Sequence, residues 1–369
     1  MERIEKVPAR IMSIDALRGF DMLMIIFADR FFFSLNSAVN SPSTRFLEKQ
    51  FQHPDWFGSH FYDIIMPLFL FIVGAVIPYS LSRRMRENIG KFSIYKSLIR
   101  RFIILFVLGW VVQGNLLDLD PGKFQIMSNT LQAIAVGYLF SSIAYLHLSK
   151  KWRYVLFAGC LVIYTVLLTI PVIPGVGRST LLPDRNFANY VENLVFGKYA
   201  DSSGEYYTWL LSGFGFTATV LSGVFAGELI RSDYSRKKVA LYLLLIGIAG
   251  LILGLFFSIW HPIVKKIWNS TFVLYSSGIC YILMSVFYWI IDILGYKKWA
   301  YPLKIIGMNA IVAYVASHVL NFPGIANSIL FGLEKYVGAY YEMITVIGGF
   351  GILYLILWYM FKNNTFVKI

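Results

Sequence analysis

The sequence predicts an all-α fold: a polytopic integral membrane bundle of ten or eleven transmembrane helices, one domain over residues 1–369, with both termini cytoplasmic. Three observations predict it. Hydrophobic residues make up 57% of the chain and charged residues only 14%, and mean hydropathy is +0.63, outside the range of soluble domains. Ten apolar runs reach spanning length. The short loops that an alternating path puts on one side are all basic. At about 20 residues per span, the chain has no room for a second, soluble domain.

The runs fall near residues 12–35, 60–82, 98–117, 127–147, 153–173, 207–230, 239–260, 271–294, 302–321 and 340–361. Residues 322–335, with Pro323, Gly324 and Gly332, read as a short re-entrant or interfacial piece, or as an eleventh span. With the N-terminus inside, 22 of the 33 Lys and Arg residues lie on the cytoplasmic side and nine outside. Arg18 and Arg30 fall within or at the end of the first span. Such an excess marks the cytoplasmic loops. The net charge of +13 therefore reports orientation, the expected surroundings are membrane lipid, and no nucleic-acid partner is implied. Charges interrupt the first apolar run and no A-x-A-like site follows it, so it reads as a span and not a cleaved signal. Cys160 and Cys280 lie inside apolar runs and read as small core residues.

This path leaves segments 36–59, 172–206 and 261–270 outside, each long enough to hold a substrate. His53, His60, His261 and His318 gather near that side; His147 lies inside. Titratable groups thus concentrate where chemistry is expected.

Charges within a span cost roughly 2.5–3.5 kcal/mol each, yet the first span keeps Asp15, Arg18, Asp21 and Asp29. On a straight helix at 100° per residue, Asp15, Arg18 and Asp29 fall within about 60° of one another. Asp15 and Arg18 have the spacing of an ion pair that fixes the helix, or of a site. Asp29 has no cation at helical spacing toward the interior, which favours a site role. His53 precedes Asp63 by ten residues; a carboxylate partner orients an imidazole base, although a loop histidine is also simply solvated. Pro67 in M-P-L-F suggests a kink in the second span. Ser212, Thr217, Thr219 and Ser222 read as helix-packing residues, with Glu228 at the inner end. Glu205, beside Tyr206, Tyr207 and Trp209, suits a sugar, whose faces stack and whose hydroxyls need acceptors. Asn309 and His318 lie about 180° apart on a straight helix, so both face one site only if that helix breaks; Asn309 is the deeper. No metal-ligand spacing, P-loop, dinucleotide fingerprint or inverted repeat is present.

R-I-M-S-I-D-A-L-R-G-F, then Asp29, then H-P-D-W-F-G-S-H-F-Y-D-I-I-M-P-L-F-L-F-I-V-G-A resembles the opening of the transmembrane acetyltransferase family typified by lysosomal heparan-alpha-glucosaminide N-acetyltransferase. The likeness continues in order through N-T-L-Q-A-I-A-V-G-Y-L, G-E-Y-Y-T-W-L-L-S-G, P-I-V-K-K-I-W-N-S-T-F-V-L and G-M-N-A-I-V-A-Y. It implies transfer of acetyl from cytosolic acetyl-CoA, the co-substrate, to the amine of a glucosamine-type sugar across the membrane, without a metal.

His53 matches the family's active-site histidine and Asp63 the aspartate that follows it. Asp29 stands where the family has an asparagine; a carboxylate can orient or recharge His53, where an amide only hydrogen-bonds. The family's L-Q-R-I-A reads L-Q-A-I-A, with Ala133 in place of arginine. His318 falls one position from a family histidine. The resemblance makes His53, Asp29 and Asp63 the catalytic candidates. Glu205, Lys266, Trp268 and Asn309 are the acceptor-site candidates, and Asp15, Arg18, Gln132 and Ser270 the donor-site candidates. Asn309, Ser270 or a backbone amide is expected at the oxyanion. No counterpart of the lysosomal enzyme's luminal domain is expected. A bacterial cytoplasmic (inner) membrane and, by analogy, a homodimer are implied. Two other readings stay open: a solute or proton-coupled sugar transporter lined by Asp15, Arg18 and Asp29, and an O-acetyltransferase of cell-envelope polysaccharide, whose family shares a D-x-L-R-G-like opening.

Overall fold

A computed structural model describes residues 11–114, 116, 119–120, 122–201 and 207–367. Sixteen α-helices and one two-stranded hairpin follow in order among them. The first span is α1 (Met12–Leu23), a π-helical turn (Met24–Ala28) and α2 (Asp29–Val39). After α3 (Pro42–Gln50) and a 3-10 turn (Phe61–Ile64) comes α4 (Ile65–Arg86), then α5 (Lys91–Gln113), α6 (Thr130–His147) and α7 (Lys150–Thr169). The hairpin β1 (Val172–Ile173) and β2 (Gly177–Arg178) leads to α8 (Phe187–Phe196). Next are α9 (Gly213–Ile230), α10 (Arg236–Phe257) and α11 (Ser270–Tyr288), the last prolonged by a π-helical turn (Trp289–Ile293). The chain closes with α12 (Tyr301–Met308), α13 (Ala310–Val319), α14 (Phe322–Leu330), α15 (Glu334–Val337) and α16 (Tyr341–Lys362).

Among the described residues the ten apolar runs lie mainly on helices, the ninth divided between α12 and α13. Seven segments are long and apolar enough to cross a membrane: Met12–Val39, Phe61–Arg86, Lys150–Thr169, Gly213–Ile230, Arg236–Phe257, Ser270–Ile293 and Phe322–Lys362. The protein is an integral membrane protein. The bent pair α12 and α13 makes an eighth if it crosses as one span. Two expected spans fall short of that test for visible reasons: α5 carries Lys91, Lys96, Arg100 and Arg101, and α6 is diluted by Thr130, Gln132, Ser141, Ser142 and His147. The nine residues of α14 cover only about 13 Å, too short to cross. That helix folds back on α16, where a Cβ on Gly349 would stand 2.6 Å from the Pro323 nitrogen.

Helices α4 and α9 form the centre. Their backbones touch through glycines: a Cβ on Gly74 would sit 2.0 Å from the Val220 carbonyl oxygen, and one on Gly223 1.9 Å from that of Phe71. With lipid as apolar as the side chains, such close backbone packing is what holds helices together. Helix α1 docks on α12 in the same way, through Gly19 and Gly307. Pro67 is not a mid-span kink. It sits in the first turn of α4, where its missing N–H has no helical acceptor to lose; the proline inside that helix is Pro78. Cys160 and Cys280 are buried and unpaired.

The π-helical turn Met24–Ala28 changes the first span most. It adds one residue to a turn, moving everything beyond it back by about 100°. Asp29 therefore leaves the Asp15–Arg18 stripe expected of a straight helix and comes within about 20° of Asp21.

Candidate active site

Two loops at the end of the bundle where α2 finishes and α4 begins make the site. The segment H-P-D-W-F-G runs beside 261–270, joined by a parallel bridge between Gly58 and Val264 and by the Gly58 N–H donating to Ile263 O at 2.8 Å. Gly58 has φ +101°, a conformation open to glycine and strained for other residues. The Trp56 indole donates to Leu181 O at 2.7 Å, tying this loop to the segment before α8. The His60 ring Nδ1 lies 2.9 Å from Gln52 O. The loop is thus fixed at several points before it turns into Phe61–Ile64.

That fixed loop brings His53 onto Asp63. His53 Nδ1 lies 2.6 Å from Asp63 Oδ1, and Asp63, fully buried, also accepts the His60 backbone N–H at 2.8 Å through Oδ2. An ionised carboxylate only accepts, so this bond puts the ring proton on Nδ1 and makes Nε2 the acceptor. Lys265 completes the group: Nζ lies 3.2 Å from Asp63 Oδ1 and 3.2 Å from each ring nitrogen of His53. His53 is about one-third exposed and Lys265 about one-tenth.

Asp29 reaches this group through Tyr62. Tyr62 lines one cavity with Asp29, and its ring lies 5.4 Å, centroid to centroid, from the His53 ring. Asp29 and Tyr62 wall a cavity of about 190 Å³ with Arg30, Ser317 and His318. His318 enters it because the ninth run does break: α12 and α13 meet at 74° across Asn309, and His318 Nδ1 turns to Tyr314 O at 2.8 Å. A roomier groove of about 630 Å³ lies between α6, α7 and α9, but its lining is almost wholly apolar, with Phe140, Leu156 and Phe214 among its residues. Its lining also holds His147 and Cys160, but His147 Nε2 meets the Tyr95 hydroxyl and the groove includes no residue of the His53–Asp63–Lys265 group.

The other candidates lie apart from this group. Glu205 lies outside the described residues. Lys266 points away from its neighbour Lys265, with Nζ 5.7 Å from the Tyr207 ring centre, and its carbonyl accepts the Thr208 N–H at 3.1 Å. Trp268 is buried, donates to Thr219 Oγ1 at 3.1 Å and packs edge-on against Phe216 and Phe272. Asn309 uses both ends of its amide on the C-terminal segment, donating to Thr365 O at 3.1 Å and accepting from Val367 N at 3.2 Å. Ser270 donates to Leu161 O at 2.7 Å and accepts from Thr165 at 2.9 Å. Gln132 accepts the Ser128 N–H and donates to Ile126 O. Asp15 and Arg18 stand 3.8 Å apart at the start of α1.

Lys265 and Tyr62 are the residues the sequence reading missed. Lys265 hides in a Lys–Lys pair, and only the Gly58–Val264 bridge decides which of the two turns to His53. Farther out, Glu192 of α8 is buried and accepts the Leu210 and Trp209 N–H groups at 2.8 and 3.1 Å. Burial pushes its carboxyl up to about 7 against those two bonds, with Asp201 adding to the push. His261 is pushed down by burial alone.

Over residues 10–249 the chain matches the family model described as "Heparan-alpha-glucosaminide N-acetyltransferase, catalytic". It is 22% identical over 380 residues to heparan-alpha-glucosaminide N-acetyltransferase of Homo sapiens, covering 87% of this chain and 55% of that protein. To the Mus musculus protein of the same name it is 21% identical over 373 residues, covering 85% of this chain and 54% of the relative. The chain thus spans about half the length of the curated relatives it matches. With most of its length inside the matched region, and a histidine–carboxylate pair at one end of a membrane bundle, the chain belongs to the heparan-alpha-glucosaminide N-acetyltransferase catalytic family.

Proposed function

We propose that the protein is a transmembrane N-acetyltransferase that moves acetyl from cytoplasmic acetyl-CoA to the amine of a glucosamine-type sugar on the far side of the membrane. The observation that carries this reading is the contact of His53 with buried Asp63 at 2.6 Å, beside a polar cavity walled by Asp29 and Tyr62. On the ten-span path expected from the sequence, with both termini inside, His53, Asp63, Lys265 and Asp29 lie on the outer side. The basic loops, which attract the CoA phosphates, then lie on the cytoplasmic side, in a bacterial cytoplasmic membrane.

The acceptor sits in the Asp29 cavity, whose carboxylate attracts an ammonium and whose Tyr62 and His318 rings offer faces to a sugar. The amine attacks the thioester carbonyl while His53 Nε2 takes its proton, or His53 first accepts the acetyl group itself. Asp63 holds the ring in the required tautomer. Lys265 Nζ, beside the ring, stabilises the developing oxyanion, a role for which Asn309 and Ser270 are poorly placed, their polar groups being engaged elsewhere.

The test is purified protein with acetyl-CoA and a panel of amino sugars, following free CoA in wild type and His53→Ala. Loss of a general base lowers the rate by about 10²–10⁴. Equal CoA release from both proteins overturns the assignment. Acetylated protein trapped without acceptor selects the acetyl-histidine route over direct transfer.

A further inference from the structure

Asp21 is fully buried, and neither carboxylate oxygen has a hydrogen-bond partner among the described residues. A mid-span acid is costly to keep, and the mechanism above does not use it. Its position supplies a role. The π-helical turn Met24–Ala28 brings Asp21 and Asp29 onto one line of the first span, about 10 Å apart along the axis. Tyr62 lines the cavity with Asp29 and with Ile25, one turn beyond Asp21, and its hydroxyl lies within the electrostatic reach of both acids. Arg18, one turn toward the N-terminus, is the cation that acts on Asp21. From α11, Cys280 is the titratable group that feels it. Acids placed in series inside a bundle are the usual means of moving protons through a membrane protein.

Resting on the acetyl-transfer reading, we propose that Asp21, Tyr62 and Asp29 form a proton relay that carries the surplus proton of each turnover to the cytoplasmic side. The reaction supplies that proton. As the C–N bond forms and the C–S bond breaks, the acceptor ammonium loses two protons. One converts the departing CoA thiolate to the thiol; the other is left over. Asp29 and Tyr62, which wall the cavity beside His53, collect it and hand it to Asp21. Arg18 then supplies the counter-charge for the emptied Asp21 carboxylate as the proton leaves inward. One positive charge moves to the cytoplasmic side per acetyl transferred. Were the surplus proton released among the sugars instead, neutral acetyl would cross one way and neutral hydrogen the other, with no net charge moved.

The experiment uses the full chain in sealed vesicles, with acetyl-CoA on the side of the basic loops, glucosamine on the other, and a potential set by potassium and valinomycin. CoA release and the pH of both compartments are recorded. The expected result is one proton per CoA on the acetyl-CoA side, with release several-fold faster when that side is negative than when it is positive. Asp21→Asn and, independently, Asp21→Ser retain measurable acetyl transfer but lose the response to potential, their proton emerging on the sugar side. Wild-type release that ignores the potential, with the proton on the sugar side, overturns the relay and leaves the acetyl-transfer reading standing. No CoA release with any amino sugar overturns both.

Discussion

Replacing Asp63 by asparagine tests the His53–Asp63–Lys265 group most directly. The carboxylate is fully buried and faces a lysine that is about one-tenth exposed, at 3.2 Å. At an effective dielectric of 20, that pair attracts by about 5 kcal/mol. Deleting one partner leaves the other as a poorly solvated charge, for about 3–5 kcal/mol of lost stability. The chemical effect is separate. An asparagine amide can present N–H to His53 Nδ1, which forces the ring proton onto Nε2 and removes the lone pair that takes the substrate proton. Acetyl transfer then falls by about 10²–10⁴. Two measurements separate these effects: the initial rate of CoA release, and thermal unfolding in detergent. Lys265→Met in the Asp63→Asn background recovers stability, since no orphan charge remains, while transfer stays low. A single Asp63→Asn variant that releases CoA within threefold of wild type, with His53 intact, refutes the pairing as a catalytic feature.

Three further outcomes follow from the geometry. Glu192, ordinarily near 4.5, titrates at about 7 in the folded protein, so between those values the native carboxyl holds a proton that the unfolded chain has released. Stability therefore falls as pH rises through that window, by up to about 3 kcal/mol; Glu192→Gln flattens the pH dependence of Tm, and an unchanged profile counts against the buried acid. Asn309→Ala removes two hydrogen bonds to the C-terminal segment and lowers stability by about 1–3 kcal/mol, with a loss of transfer under tenfold; a loss as large as that of His53→Ala would place Asn309 at the reacting atoms. Gly307→Ala puts a Cβ 2.1 Å from the Asp15 carbonyl oxygen, separates α1 from α12 and reduces the yield of folded protein in detergent; full yield would contradict the close packing.

The helical membrane architecture was legible because apolar runs and basic loops are properties of composition. The pairing of His53 with Asp63 was legible through its motif. What escaped was anything set by pairing between distant loops. Lys265 and Lys266 are indistinguishable as letters, and their opposite roles follow from one bridge, between Gly58 and Val264, across two hundred residues. Tyr62 reads as one more aromatic in an apolar run until Asp29 is placed beside it. Trp268 carries the composition of a sugar platform, yet its left-handed backbone, φ +47°, drops the ring between Phe216 and Phe272.

Helical periodicity misled in one place, and the reason bears on function. A 100° step assumes an unbroken α-helix, so it grouped Asp29 with Asp15 and Arg18 and put Asp21 about 80° from Asp29. One π-helical turn reverses that grouping. Such turns leave a backbone hydrogen bond out of step and are retained chiefly where a side chain must be aimed. Here the aim is visible: without the extra residue, Asp29 would rotate away from Tyr62, and the cavity next to His53 would lose its carboxylate. The same rotation leaves Asp21 directly beneath. A buried acid with no hydrogen-bond partner among the described residues and an acid at the reacting end thus owe their alignment to a single local feature, Met24–Ala28. Deleting one residue from that turn moves Asp29 off the Asp21 line. It should abolish both acetyl transfer and its response to membrane potential, while the helices that flank the turn remain.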